Sequence, residues 1–214
     1  MKICCVGYRR WALDIYDFLE TQGYEILLFN SKKSYNERAI REYDPEFILF
    51  YGWSWIINPK LIEDFKCIML HPSPLPKYRG GSPIQNQIIR GEVDSAVTLF
   101  FMDSGIDTGD IVAQKFLSLE GNLSQIFTRM TNIGRELTIE VLEGRYDRRK
   151  QDDSQSSYYS RRKPQDSEIT IDEILTKDGE YLQNKIRMLQ SPYPNSFIRT
   201  ADGKKLKIIL SELE

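Results

Sequence analysis

One side chain in this sequence changes charge near neutral pH without help from its surroundings: His71, the only histidine among 214 residues. A lone imidazole suggests proton transfer, and its place in the chain supports that. The apolar run Ile68-Met69-Leu70 leads directly into it, and Pro72-Ser73-Pro74-Leu75-Pro76 follows. Residues 69–83 hold four of the nine prolines and two of the thirteen glycines. A buried strand therefore ends at His71, and a stiff loop carries the chain away. An imidazole working as acid and base needs a carboxylate to orient it. The turn Asp103-Ser104-Gly105-Ile106-Asp107-Thr108-Gly109-Asp110 offers three: Asp103, Asp107 and Asp110. Ser73 next to the histidine raises a Ser-His-Asp hydrolase, but it has no strand–turn–helix elbow to expose its hydroxyl. With one histidine and no clustered cysteines, no metal centre is expected.

The elements that must position these groups follow a βαβαβ pattern. Strands are predicted over 2–7, 24–29, 46–51 and 67–70, with helices over 11–22, 35–43 and from Asn58-Pro59 to Phe65. Such alternation implies an α/β fold, a doubly wound Rossmann-like, mostly parallel sheet. Ligands of these sheets bind at the carboxyl ends of the strands, where His71 falls. So does Tyr51-Gly52-Trp53-Ser54-Trp55-Ile56-Ile57, readable as core packing or as the wall of a flat heterocycle. A dinucleotide is not expected, because the first turn, Gly7-Tyr8-Arg9-Arg10-Trp11, lacks the glycines that a pyrophosphate requires. Ser82-Pro83 opens a helix as a hydroxyl N-cap with proline behind it. A fifth strand over 97–102 should neighbour the fourth, with a further strand over 111–116 and a long helix over 124–144. The catalytic core is expected at 1–145 and a polar surface linker at 146–168. A small C-terminal α+β appendage at 169–214 offers a surface for homodimerisation.

A hydrophobic fraction of 41% supports a sizeable core. A net charge of −2 gives no basic footprint for nucleic acid and disfavours a tRNA substrate. Cys4, Cys5 and Cys67, odd in number, suggest reduced thiols of a cytoplasmic protein. Cys4 and Cys5 point to opposite strand faces, against a redox or metal pair. Arg9 and Arg10 interrupt any signal peptide. The apolar stretch 47–57 is too short to span a bilayer, so no membrane insertion is expected.

His71-Pro-Ser-Pro-Leu-Pro-Lys-Tyr-Arg-Gly-Gly-Ser-Pro, then Val97-Thr98, then Asp107-Thr-Gly-Asp-Ile, resembles the 10-formyltetrahydrofolate-dependent formyltransferase family over about residues 1–145. His71 and Asp107 stand 36 positions apart (71 to 107), which also suits that family. The resemblance implies direct acyl transfer from 10-formyltetrahydrofolate, a co-substrate, to an amine. His71 would stabilise the oxyanion and shuttle the proton, and Asp107 would orient His71 and help protonate the leaving nitrogen. Ser54, Trp55, Ile56 and Gly81 would hold the folate, facing Asp103, Ser104, Gly105, Ile106 and Asp107 across the pocket. One departure stands out: the family carries asparagine two residues before the histidine, and Met69 occupies that place. A thioether donates no hydrogen bond to an oxyanion. Asn86 or Gln87 is a candidate substitute donor, as is a backbone N–H.

Within the family, Lys77-Tyr78-Arg79-Gly80, Arg161-Arg162-Lys163-Pro164 with Asp166, and Pro192-Tyr193-Pro194-x-x-Phe197 look most like sugar-nucleotide N-formyltransferases of surface glycan biosynthesis. The implied partner is a nucleotide-linked amino-deoxy sugar, met by Ser73, Lys77, Tyr78, Arg79, Arg161, Arg162 and Lys163. The alternatives are a formyltransferase for another small amine, such as glycinamide ribonucleotide, and a module that binds folate or a nucleotide sugar without turnover.

Overall fold

A computed structural model describes residues 1–214. The four predicted strands form as β1 Lys2–Val6, β2 Glu25–Phe29, β3 Phe47–Tyr51 and β4 Cys67–His71, with all five residues of β3 buried. That continuous burial suits a strand covered on both faces of a parallel sheet. Between them lie α1 Arg10–Thr21, α2 Glu37–Tyr43 and α3 Pro59–Asp64. After the proline-rich loop come the two-residue β5 Arg79–Gly80, α4 Pro83–Ile88, β6 Asp94–Phe101, β7 Ile111–Ser118 and α5 Leu123–Leu142.

The main sheet has the order β2-β1-β3-β4-β6-β7. Its first four strands run parallel, while β4–β6 and β6–β7 are antiparallel. The sheet is therefore mostly parallel, as expected, with an antiparallel edge. The predicted neighbour of the fourth strand lies beside it, His71 opposite Thr98. Layers cover both faces. Cys5 joins the core under α1 and α5, and Cys4 joins the separate core under α2 and α3. Burial pushes the Cys4 and Cys67 thiols up to about 12, so they stay protonated and unreactive.

Two local readings change. α5 starts at Leu123, because Asn122 and Gln125 close a reciprocal capping box. Ser82 does not cap α4 with its side chain; its hydroxyl accepts the Arg162 N–H at 3.1 Å. The 146–168 segment, expected as a surface linker, returns to the sheet end. It bridges Ile111 through Arg149 and adds β8 Tyr158–Tyr159 beside β5. Beyond it lie α6 Ile171–Thr176, α7 Gly179–Arg187 and the hairpin β9 Ser196–Arg199 with β10 Lys205–Ile208. Met188 and Leu189, just after α7, join the large core of the main sheet.

One buried hydroxyl ties α1 to the strand ends that carry the cleft. Tyr16 Oη lies 3.1 and 2.9 Å from the carbonyls of Val6 and Leu49 and accepts the Tyr51 N–H at 2.9 Å. Replacing it with phenylalanine strands a buried N–H, which costs about 1–3 kcal/mol. Tyr16→Phe is expected to lose that much stability in urea unfolding with an unchanged m-value, and wild-type stability would refute the tie.

Candidate active site

His71 is the last residue of β4 and is buried. Its ring is held by the loop that follows. Nε2 lies 2.8 Å from the Tyr78 carbonyl oxygen. A carbonyl can only accept, so Nε2 carries the proton. Nδ1 is left to face Asp107 Oδ2 at 3.5 Å, two acceptors side by side until Nδ1 takes up a proton and an ion pair once it has. Of the three candidate carboxylates, Asp107 alone reaches the imidazole. Asp103 closes its own turn by accepting from the Gly105 N–H and the Thr108 hydroxyl, and Asp110 pairs with Arg148 at 3.2 Å.

Asp107 has a left-handed backbone, φ 56°. That conformation is costly for a side chain larger than glycine, and its neighbours hold it there. The Gly80 N–H donates to Oδ2 at 2.8 Å. Gln151 Nε2 donates to the carbonyls of Asp107 and Gly109 at 2.9 and 2.8 Å. Arg79 then fixes Gln151, donating to its Oε1 at 3.1 and 2.8 Å, and to Asp153 at 2.8 Å. Gly109 lets the turn pack against β6; a Cβ there would lie 1.7 Å from the Phe101 carbonyl oxygen.

A cleft of about 720 Å³ opens at this strand end. His71 and Asp107 line it with Ser54, Trp55, Ile56, Gly81, Asp103, Ser104, Gly105 and Ile106. Every residue expected to hold the folate therefore faces one cavity with the histidine. Trp53 and Trp55 pack edge to face, ring centroids 4.6 Å apart, and the buried Trp53 indole N–H has no partner. Arg161, Arg162 and Lys163 also line the cleft, with Arg9. Arg161 donates to Ser54 Oγ at 3.0 Å, and its backbone packs so closely on Gly81 that a Cβ there would lie 2.4 Å from Arg161 Cα.

Four expected substrate residues are absent from the cleft wall. Ser73 is fully buried and donates to the Lys77 carbonyl at 2.8 Å. The Tyr78 phenol donates to Glu92, and burial pushes its pKa well up. Arg79 braces Gln151, and Lys77 is exposed outside the cleft. Ser73, Tyr78 and Arg79 thus bond to the loop and the segments beside it. Such a motif suits a stiff loop conformation as readily as a binding surface, and spacing alone does not tell one from the other. Neither candidate replacement for an oxyanion donor is free. Asn86 Nδ2 donates to the Gly81 and Ser160 carbonyls, and Gln87 Nε2 to those of Pro72 and Pro83. Met69 lines the cleft, as its register two residues before His71 requires. Gln151 is invisible in the sequence, a single amide in a polar stretch.

Residues 20–142 match the family model described as formyl transferase. A methionyl-tRNA formyltransferase of Sulfurimonas denitrificans is 34% identical over 168 residues, 77% of this chain and 53% of the relative. The chain spans about half the length of the curated relatives it matches, 53% and 60% for two of them. A structure titled methionyl-tRNA formyltransferase, from Clostridium thermocellum, superposes with TM-score 0.86 at 32% identity, covering 97% of each chain. The formyltransferase PseJ of Anoxybacillus kamchatkensis, solved with UDP-4,6-dideoxy-4-formamido-L-AltNAc and tetrahydrofolate, has TM-score 0.65 at 25% identity; the match covers 89% of this chain and 100% of that one.

With a single imidazole in the protein, its nitrogens can be followed without assignment. Long-range ¹⁵N–¹H spectra of the unliganded protein are expected to show the proton of the neutral ring on Nε2. A form with the proton on Nδ1 and a bare Nε2 would overturn the tautomer derived above.

Proposed function

Because this chain belongs to the formyl transferase family, we propose that it transfers a formyl group from 10-formyltetrahydrofolate to the amine of a nucleotide-linked amino-deoxy sugar. The observation that carries the reading is His71 Nδ1 facing Asp107 Oδ2 inside a cleft with an aromatic wall. A folate suits that cleft. The unpartnered Trp53 N–H offers a donor for a heterocycle edge, and the tryptophans and Ile56 offer flat apolar surface.

10-Formyltetrahydrofolate supplies an activated formyl carbon. The chain's own residues handle the proton and the charge. His71 Nδ1 is the ring nitrogen not held by the Tyr78 carbonyl, so it takes the proton that the acceptor amine loses on attacking the formyl carbon and returns it to the folate nitrogen as the formyl C–N bond breaks. Asp107 stands beside it to stabilise the resulting imidazolium. The Tyr78 carbonyl keeps the ring from turning. The buried Trp53 keeps water from one side of the cleft, which strengthens these charge interactions. Arg161, Arg162, Lys163 and Arg9 give the cleft a cationic border suited to a diphosphate. The folate-and-sugar complex of the PseJ neighbour supports the same acceptor class.

A second reading takes the amine from methionyl-tRNA, favoured by the names of the relatives above. Its acceptor is also anionic, so the cationic border serves it equally. Incubation with 10-formyltetrahydrofolate and a panel of nucleotide-linked amino sugars, with charged methionyl-tRNA in parallel, separates the two by mass spectrometry of the products. Transfer to tRNA alone would replace the first reading with the second. Folate binding without transfer to any amine would leave a binding module.

His71→Ala and Asp107→Asn are each expected to lower kcat about 100- to 10,000-fold, with the fold intact by circular dichroism. Retention of most activity in either would remove that residue from the mechanism. Met69→Asn, which adds a donor on the cleft face of β4, is expected to raise kcat, by up to about 100- to 1,000-fold if the site has no other oxyanion donor. An unchanged kcat in the folded variant would show that another group already donates.

A further inference from the structure

The neutral ring of His71 carries one proton and has an acceptor on each side. The Tyr78 carbonyl oxygen lies 2.8 Å from Nε2, and Asp107 Oδ2 lies 3.5 Å from Nδ1. A carboxylate is the stronger acceptor of the two. Were it to win the proton, Nδ1–H would bond to Asp107, and the nitrogen needed as a base would be occupied. Nδ1 stays bare because the weaker acceptor stands at full hydrogen-bond distance and the stronger one does not. The tautomer therefore depends on how firmly the Tyr78 carbonyl is held.

Tyr78 does not hold that position by itself. Its φ is 61°, in the left-handed region, which a tyrosine adopts only under constraint. The constraint comes from Ser157, on the segment that returns to the sheet end. Ser157 Oγ accepts the Tyr78 N–H at 2.9 Å. The Ser157 carbonyl accepts the Arg79 N–H at 2.9 Å, and the Ser157 N–H donates to the Pro76 carbonyl at 3.3 Å. In a trans peptide the N–H of one residue points opposite to the C=O of the residue before it. Fixing the Arg79 N–H on Ser157 therefore aims the Tyr78 carbonyl the other way, at His71. Both peptide planes that meet at the Tyr78 Cα are thus anchored by one residue, the first through its hydroxyl and the second through its carbonyl. The side chain adds a further anchor: the phenol donates to Glu92 at 2.7 Å, and the ring stacks on Tyr159 with centroids 4.9 Å apart. Tyr159 in turn carries the Arg90 guanidinium 4.1 Å from its ring centroid.

We propose that Ser157 is a positioning residue for His71: by clamping both peptide planes of Tyr78 it sets the imidazole tautomer that leaves Nδ1 to act as the base. Its effect on turnover rests on the formyl-transfer reading, whereas its effect on the tautomer does not. One short segment then serves both members of the pair, Gln151 holding the Asp107 turn and Ser157 holding the carbonyl against His71. The same carbonyl accepts from the imidazolium that forms when Nδ1 takes up its proton, so the clamp is in use at the moment of transfer as well as before it.

The test joins long-range ¹⁵N–¹H spectra of the full chain, which read the ratio of the two neutral tautomers of His71, to steady-state kinetics with 10-formyltetrahydrofolate and the acceptor that is turned over. Ser157→Ala, at a half-buried site, removes the hydroxyl and keeps the backbone bonds. It should lower the ratio of the Nε2–H to the Nδ1–H form about threefold to tenfold, and lower kcat by about the same factor with the KM of both substrates unchanged. Ser157→Thr keeps the hydroxyl and should restore both values. Ser157→Cys, of similar shape but with a weakly accepting sulfur, should resemble the alanine variant and serves as the readout should that variant fail to fold. A wild-type tautomer ratio in the folded alanine or cysteine variant overturns the proposal, whatever its kinetics. A raised KM for one substrate with kcat unchanged also overturns it, and assigns Ser157 to that substrate instead. A threonine variant that behaves as the alanine variant removes the hydroxyl from the clamp and overturns it too. Absence of transfer from the wild type to any acceptor overturns the formyl-transfer reading, and the tautomer ratio of the variants still decides the clamp.

Discussion

The position of one carboxylate governs this structure. Asp107 must come within reach of an imidazole that belongs to a different strand, and it must do so in a backbone conformation that its side chain disfavours. Antiparallel pairing of β4 with β6 brings the two chain segments together, with His71 opposite Thr98. The turn after β6 then has to double back. Gly109 permits that reversal against the Phe101 carbonyl, and the Gly80 N–H and Gln151 amide hold it. Strain stored at a reacting group persists only where its surroundings over-determine it. Here three separate segments contribute, and Arg79 ties two of them together.

The same arrangement explains why the basic motif residues divide into two sets. Arg79 carries a rigid fork of donors, and all of its bonds go to Gln151 and Asp153. Its contribution to the cleft is indirect, through the Asp107 turn. Arg161, Arg162 and Lys163 lie on the returning segment and border the cavity itself. A stretch that is polar throughout thus forms one wall of the site. Its backbone pairs with β5 and its Arg161 leans on Gly81, so the wall is fixed to the histidine loop.

Burial has opposite consequences on the two sides of the sheet. Under α2 and α3 it silences chemistry: the thiols of Cys4 and Cys67 are held protonated in an apolar core. At the strand ends it concentrates chemistry, because every polar group there must find a partner or wait for a ligand. Asn86 and Gln87 have partners within the chain, whereas the Trp53 indole does not. The Trp53 indole lies on the cleft wall, whereas the buried Tyr35 and Tyr43 hydroxyls, also without partners, lie away from it.

Much of this was readable without coordinates, for physical reasons. Fully apolar runs such as 47–51 can only be buried strands, and alternation with amphipathic helices implies a parallel sheet. A lone histidine at a strand end marks the face where α/β proteins bind ligands. The motif pair 71–83 and 107–111 pointed to the family, and the lining of the cleft brought every expected folate residue together with His71. What the sequence left open were questions of direction. Residue chemistry alone named Asp103, Asp107 and Asp110 equally and the resemblance singled out Asp107; the path of the turn leaves Asp107 facing the ring. It grouped Arg79 with Arg161, although one faces inward to a brace and the other faces the cavity. It gave no sign of Gln151, because an isolated amide has no period, charge or motif to betray it. Local sequence fixes which segments become strands and helices. Which nitrogen of His71 is free depends on the Tyr78 carbonyl, and the turn of the carboxylate that faces it is held by the distant Gln151, which only the folded chain brings to the site.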